Sequence, residues 1–216
     1  MYLEYWKSRD SDITYVMQEE AFKVQHEIDF YGKKKIIPLR GRIDAAFTRK
    51  SNGSFSLMEN KTKGVIDEDG IQSSLHMDLQ TMMYSLALRY MHGIAPSEVL
   101  YNVIRRPGLK RRKKKTIGDF LSRVQEDIHG RPQWYFMRWR VELGANDLDA
   151  WVNSCFNPML IQVIRWWDSI SEDPFNPNSS EHFVDPEGLF GRYGRSNYFD
   201  VLTRGNYHRL RQVTKS

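Results

Sequence analysis

The chain has 216 residues, of which 40% are hydrophobic, including 11 Phe, 11 Tyr and 6 Trp. That composition suits one domain of ordinary size with a core that folds without disulfides or metals. The single cysteine, Cys155, excludes an internal disulfide, a zinc ribbon and a four-cysteine iron–sulfur cluster. The N-terminus lacks a signal-peptide layout, and no apolar run approaches the roughly 20 residues that span a bilayer. We therefore expect a cytoplasmic protein with no membrane segment.

Positive charge is concentrated in one segment. Lys and Arg total 32 against 27 Asp and Glu, which gives a net charge of +5. Residues 105–115 hold eight cations and no acid, so the rest of the chain carries a net charge of −3. Such cations are candidate contacts to a nucleic-acid backbone, because they neutralise phosphates without reading sequence. They are Arg105, Arg106, Lys110, Arg111, Arg112, Lys113, Lys114 and Lys115. The alternative interpretation is a solvated loop.

The predicted elements begin with a short helix in the first twelve residues, with Leu3 and Trp6 on one side. Alternating apolar and polar residues bounded by turn residues then predict three consecutive strands. These cover residues 13–31, 36–47 and 55–61. Because their connections are short, the strands should form an antiparallel meander. Apolar residues at helical spacing predict a helix over 71–92, capped by Gly93, and a buried strand over 99–104.

Three further elements follow the basic segment. The pattern predicts a helix over 116–128, a strand over 133–143 and a long helix over 146–171. Thr116 is the expected N-cap of the first, with Asp119 at the third helical position. In the strand, Arg138 and Arg140 alternate with aromatic side chains, which fits phosphate contact with base stacking or simple core packing. The remainder, from residue 172, is rich in Pro, Asn, Gly and Ser and should have little regular structure.

The order of these elements predicts the architecture. A helix, three strands, a helix and a strand, followed by further α and β elements, indicate an α/β domain on a mixed central β-sheet flanked by helices. We expect one domain over residues 1–216. It would have its core at about 13–106, a basic loop at 105–115 and a helical and irregular C-terminal elaboration at 116–216.

Acidic and basic side chains meet near the ends of the second and third predicted strands. Alternation puts Glu59 and Lys61 on one face, and Asp44 lies on the neighbouring strand, three residues after Gly41. Two carboxylates suit a hard divalent ion such as Mg²⁺, and an adjacent lysine can orient water or stabilise developing negative charge. The glycine would let a backbone or ligand approach closely. The alternative is a pair of same-face charges on a half-exposed strand.

Three short motifs follow one another in the order strand, strand and helix. They are Gly41-Arg42-Ile43-Asp44, Glu59-Asn60-Lys61-Thr62 and Gln80-x-x-x-Tyr84. Together they resemble the PD-(D/E)XK nuclease superfamily, most closely its RecB-type branch of phage and CRISPR-associated exonucleases. The resemblance covers about residues 15–92. The segments Tyr101–Pro107 and around His182-Phe183 also look like phage-encoded members.

The resemblance implies a restriction-endonuclease-like core (αβββαβ) and a metal-dependent deoxyribonuclease that hydrolyses DNA phosphodiester bonds. It implies an exonuclease of DNA recombination, repair or end processing. Asp44 and Glu59 would bind Mg²⁺ or Mn²⁺ together with the main-chain carbonyl of Asn60, and Lys61 would be the catalytic lysine. Gln80 and Tyr84 would support the site, by touching DNA or by holding Lys61 in place.

The chain departs from the family pattern in two places. An acidic or histidine residue normally lies on a helix upstream of the first strand. Glu4, Glu19 and Glu20 are the candidates here, and Glu20 is ranked first as a further metal ligand. Many relatives hold an iron–sulfur cluster through cysteines in the tail, but Phe190–Arg195 has none. We therefore expect no such cluster.

The expected partners are single- or double-stranded DNA and other recombination proteins, in the host cytoplasm if the protein is phage-encoded. A different class stays open: a non-catalytic nucleic-acid-binding or assembly protein that retains the nuclease fold. Cleavage of RNA also stays open.

Overall fold

The structure, a computed structural model, describes residues 2–66, 78–113, 115–144 and 146–172, with side chains up to residue 168. The first part of the predicted helix at 71–77, Lys114 and the segments around His182 and Phe190 lie outside the described residues. The chain divides into two compact units, Met1–Val152 and Asn153–Ser216. Across the described ranges, no helix is both long enough and apolar enough to cross a membrane.

The first unit alternates helices and strands around one sheet. Its elements are α1 (Tyr2–Trp6), β1 (Ile13–Phe30), β2 (Lys33–Arg49), β3 (Phe55–Lys63), α2 (Leu79–His92), β4 (Glu98–Arg105), α3 (Ile117–Gly130), α4 (Pro132–Tyr135), β5 (Phe136–Glu142) and α5 (Asp147–Trp151). A π-helical turn, Val152–Phe156, follows α5. In the second unit the described element is α6 (Asn157–Glu172).

The five strands form a sheet in the order β1-β2-β3-β4-β5. The pairs β1/β2, β2/β3 and β4/β5 are antiparallel, whereas β3 and β4 are parallel and joined through α2. Parallel neighbours need a crossover connection, which the helix provides. The mixed sheet and the αβββαβ order predicted from the sequence are therefore confirmed.

The centre of the sheet is buried on both faces. Every residue of β4 from Glu98 to Val103 is buried, in keeping with its nearly continuous apolar sequence. On one face, α2 packs against β1, β2 and β3 through a stripe that includes Met82 and Leu86. Elsewhere, Trp6 of α1 packs with Tyr135 and Phe136. The sheet thus carries a helix against the strands that hold Asp44 and Glu59.

The helix caps follow the sequence prediction closely. Thr116 accepts a hydrogen bond from the main-chain N–H of Asp119, whose side chain accepts one from Thr116 N–H, so a complete capping box begins α3. Gly93 ends α2 with φ 73°, a left-handed conformation that glycine adopts without steric cost. Both predicted caps are confirmed.

Two expectations about element boundaries are wrong. Residues 132–135 form a helical turn that begins at Pro132, whose fixed φ favours the first helical position, so the strand starts only at Phe136. The predicted helix over 146–171 is interrupted by the π-helical turn just before Pro158, which has no N–H to continue the helical hydrogen bonds.

Gly41 permits close approach, but of aromatic rings rather than a ligand. A Cβ at this position would lie 2.6 Å from Phe22 Cε1 and 3.2 Å from Tyr84 Cε1. The two rings pack edge to face with centroids 5.8 Å apart. The glycine therefore lets the β1–β2 hairpin pack closely against α2.

We expect Gly41→Ala to destabilise the protein by about 1–3 kcal/mol, because the new methyl group overlaps the buried ring of Phe22, which packs against Tyr84. Urea denaturation measures the loss. Gly108→Ala is the matched control, since no atom lies within 4 Å of its added Cβ. An equal effect of the two substitutions would contradict the packing role of Gly41.

Candidate active site

The site begins where β2 and β3 part. Their pairing runs from Thr48 opposite Phe55 to Ala45 opposite Met58 and goes no further. Beyond this pairing, the Asp44 side chain joins the two strands. Its Oδ2 accepts a hydrogen bond of 2.7 Å from the main-chain N–H of Asn60. A side-chain carboxylate thus replaces a main-chain acceptor, and Asp44 is held between the two strands.

Glu59 is a buried carboxylate, and only one of its two oxygens has a partner among the described residues. The residue is 1% exposed, and its Oε1 forms an ion pair with Lys61 Nζ. Its Oε2 is buried without a hydrogen-bond partner among the described residues. Burying such an atom lowers the stability of the fold unless a cation or a hydrogen-bond donor contacts it.

Burial and neighbouring charges shift the pKa values of Glu59 and of a nearby tyrosine. Burial raises the pKa of Glu59, the Lys61 ammonium opposes that rise, and the negative charge of Asp44 adds to it. Burial also raises the pKa of Tyr101 to about 12, with further contributions from Asp78 and Glu59. The phenol beside the site therefore stays neutral near pH 7.

Lys61 is held by a chain of hydrogen bonds from α2. Its Nζ donates to Gln80 Oε1 at 2.5 Å, and Gln80 Nε2 donates to the Tyr84 hydroxyl at 2.9 Å. The two bonds fix which way the Gln80 amide is turned. Asp78 caps the helix by accepting from Thr81 N–H at 2.8 Å, which positions the first turn that carries Gln80. The same-face prediction for Glu59 and Lys61 is confirmed, and Gln80 lies beside them.

A row of polar side chains runs from Asn60 across the neighbouring strands β4 and β5. Asn60, Asn102 and Arg138 lie level on β3, β4 and β5. Asn102 Nδ2 donates to Asn60 Oδ1 at 2.9 Å, and Arg138 Nε donates to Asn102 Oδ1. The row ends at Asp10, which forms an ion pair with Arg138. The Arg138 guanidinium also lies 3.8 Å from the ring centroid of Trp6, so α1 is tied to the same row.

The contacts of β5 bear on the two interpretations of its arginines and add residues that the motifs missed. Arg138 is paired with Asp10, and Arg140 is paired with the buried Glu98. The guanidinium groups of both arginines are therefore engaged by carboxylates of the protein itself. Asn102 was missed although it carried a signal: it is the one polar residue inside the apolar run Val99–Ile104. Asp10 carried no signal, because its partner lies 128 residues away.

The donors present suit a hard divalent ion. Asp44 and Glu59 offer carboxylate oxygens, and the unpartnered Glu59 Oε2 is the kind of buried polar atom that a cation would satisfy. Within the described ranges, no group of three or more His, Cys, Asp or Glu side chains is placed to hold a metal. The protein would thus supply two carboxylates and a main-chain carbonyl, and water the rest, an arrangement that Mg²⁺ commonly adopts.

An open cavity of about 600 Å³ lies against this site. Asp44 and Asn60 line it, together with Glu4 of α1 and Glu19 of β1. Glu20, which the sequence ranking put first, is exposed, is paired with Ile43 and is not among the lining residues. The reason is local. Glu19 adopts φ 48°, which interrupts the regular course of β1 next to Asp44. Of the three candidate acids, Glu4 and Glu19 therefore line the cavity and Glu20 does not.

The basic segment leaves the sheet at the end of β4. Arg105 lies level with Lys63 of β3, and its guanidinium stacks 3.7 Å from the ring centroid of Trp134. Arg106 N–H donates to Lys63 O at 2.8 Å. The remaining described cations of the segment are exposed: Lys110, Arg111, Arg112, Lys113 and Lys115. The structure therefore brings only the first part of the segment next to the strand that carries Lys61.

We expect Glu59 to make stability depend on pH. A raised pKa means that the folded protein keeps a proton which the unfolded chain releases near its ordinary value of 4.5. The free energy of unfolding of the metal-free protein therefore falls as pH rises from about 4.5 through the folded-state pKa. Glu59→Gln should remove that fall, because the amide does not titrate. Urea denaturation in EDTA at several pH values measures it.

Asp12→Asn provides a control of opposite sign. Hydrogen bonds from Ser51 lower the pKa of Asp12, so the stability that this carboxylate contributes is lost as pH falls. Parallel pH profiles for Glu59→Gln and the wild type would contradict the assignment of a raised pKa to Glu59.

We expect Asn102→Ala to cost about 1–3 kcal/mol, because it removes a buried side chain that bonds both Asn60 and Arg138 and leaves the partly buried Arg138 Nε without its acceptor. Asn52→Ala removes only a local turn contact, the 3.0 Å bond from Ser54 N–H, and should cost about 0.5 kcal/mol. Chemical denaturation compares the two. A loss for Asn102→Ala no larger than for Asn52→Ala would show that the row is not a stabilising feature.

Comparison with known proteins agrees with this geometry. The PD-(D/E)XK nuclease superfamily matches residues 1–181 of the chain. No curated protein matches it significantly. The match covers α1, all five strands and the residues Asp44, Glu59, Lys61, Gln80 and Tyr84. Members of this superfamily are typically nucleases that act on nucleic acid and generally use divalent metal ions. The chain belongs to the PD-(D/E)XK nuclease superfamily.

Proposed function

We propose that the protein is a metal-dependent deoxyribonuclease that hydrolyses DNA phosphodiester bonds and degrades DNA from its ends. The observation that carries the proposal is the meeting of Asp44, Glu59 and Lys61 at the point where β2 and β3 part. The exonuclease part rests on the resemblance of the three motifs to the RecB-type branch. A role in phage DNA recombination, repair or end processing follows from the same resemblance.

The metal site would consist of Asp44, Glu59 and the main-chain carbonyl of Asn60, with Mg²⁺ or Mn²⁺ as the ion. A bound divalent ion supplies charge neutralisation on the scissile phosphate and a lowered pKa for water. Asp44 uses Oδ2 to accept from Asn60 N–H, which orients its other oxygen for a ligand. The buried Glu59 Oε2 would face the ion.

Lys61 is positioned to act on the reacting groups. An ammonium group has three donors, and two of them are engaged by Glu59 and Gln80. The third can donate to an attacking water or to a phosphate oxygen, where it would orient the water or stabilise developing negative charge. Gln80 and Tyr84 act through Lys61 and are positioning residues in this proposal, because the hydrogen bonds from α2 limit the positions that Nζ can take.

The upstream acid of the family would be Glu19 or Glu4 rather than Glu20. Both side chains line the cavity that Asp44 also lines. That cavity is the proposed place for the nucleotide next to the bond that is cut.

We expect Lys61→Ala to lower cleavage by at least about 10²-fold while DNA binding persists, because its interaction strengthens in the transition state. The assay uses end-labelled linear DNA and closed circular DNA with Mg²⁺, with Mn²⁺ and with EDTA. EDTA should abolish activity, and linear strands should shorten while circles survive.

The matched control is Lys33→Ala, at the tip of the β1–β2 hairpin, which should retain wild-type cleavage. Equal activity of Lys61→Ala and the wild type would overturn the assignment of Lys61. DNA binding without turnover in any metal would instead support a non-catalytic nucleic-acid-binding protein.

A further inference from the structure

The β1–β2 hairpin extends well beyond the rest of the sheet. β2 pairs with β3 only from Ala45 to Thr48, so most of its 17 residues pair with β1 alone. One face of this extension packs on α2, as the Phe22–Tyr84 ring contact and the 2.7 Å contact between His26 Nδ1 and Tyr90 OH show. Gly41 faces the same helix. On the opposite face, the described side chains at positions 21, 23, 25, 40 and 42 are exposed.

That solvent face carries three cations near the active site. Arg40 and Arg42 flank Gly41 on β2 and therefore point away from α2, and Lys23 of β1 lies opposite Arg40. All three are exposed. We call them the hairpin patch.

The cations of the hairpin patch are not neutralised. Within the described residues, none of the three side chains has a hydrogen bond, an ion pair or a ring contact. Glu20 lies on the same hairpin but forms no ion pair with them in that part of the chain. Other hairpin cations differ, since Lys34 pairs with Glu27 at 2.7 Å. The hairpin patch therefore keeps its full charge for an external anion.

The patch leads toward the candidate metal site. Arg42 and Arg40 are two and four residues from Asp44 on the same strand, so they lie about 7 and 14 Å from it along β2. A polyanion that reaches Asp44 along the hairpin would pass Arg42 and then Arg40. Arg105 lies two strands away from β2, on β4, so the two basic surfaces flank the site from opposite sides.

We propose that the hairpin patch binds the phosphate backbone of the nucleic acid next to the phosphate that is cut. The proposal rests on the proposed nuclease function and adds a binding surface outside the basic segment 105–115. Arginine suits this role because its planar guanidinium makes two parallel hydrogen bonds to a phosphate. The contact is sequence-independent, since nothing in it reads a base.

The test measures binding of a fluorescein-labelled duplex in EDTA, by anisotropy, at several salt concentrations. Arg42→Gln and Lys23→Gln should each weaken binding and lower the slope of log Kd against log salt by about 0.9, the value expected for one lost phosphate contact. Arg42→Lys should keep the slope because it keeps the charge. Lys33→Gln, at the hairpin tip, is the matched control for Lys23→Gln and should leave the slope unchanged.

The outcomes separate the two proposals. Weakening by Arg42→Gln and Lys23→Gln beyond that of Lys33→Gln supports the hairpin patch, even if no cleavage occurs in any metal and the nuclease proposal fails. Cleavage with unchanged slopes in both patch variants would overturn the patch and leave the nuclease proposal standing. In the cleavage assay, Arg42→Gln should raise KM about fivefold to tenfold with little change in kcat, as expected for lost uniform binding.

Discussion

The hydrogen bond between the Asp44 carboxylate and the main-chain N–H of Asn60 is the contact on which the site depends. Strand pairing would normally supply a main-chain acceptor at that position. Because a side chain supplies it instead, β2 and β3 separate while Asp44 stays next to Glu59. The same contact fixes Asn60, whose side chain joins the polar row through Asn102. One bond thus defines both the opening in the sheet and the positions of the groups around it.

Much of this site could be predicted because its determinants are local in the chain. Alternation along a single strand brings Glu59 and Lys61 together, and helical spacing pairs Gln80 with Tyr84. A short hairpin then suffices to bring Asp44 beside them. The mixed sheet followed from the order of elements in the same way.

The parts that could not be predicted depend on distant partners or on one backbone angle. The ion pair of Asp10 with Arg138 joins residues near opposite ends of the first unit in sequence, and only the three-dimensional structure reveals it. Glu19 lines the cavity and Glu20 does not, because Glu19 adopts a positive φ. A prediction from regular strand alternation does not include such an angle. Charge counting was also a poor guide. Some arginines form ion pairs with buried carboxylates such as Glu98, whereas the arginines of the hairpin patch form none within the described residues.

The polar row links the N-terminal helix to the centre of the site. Arg138 contacts Trp6 and Asp10 at one end and reaches Asn60 through Asn102 at the other. Binding of a ligand that requires an ordered Asn60 is therefore coupled to the packing of α1 on the sheet. Because linkage is reciprocal, each of the two processes stabilises the other by the same free energy. A ligand at Asp44 would slow hydrogen exchange in α1. A peptide fused before Tyr2 that disturbs the helix would, conversely, weaken the site from a distance.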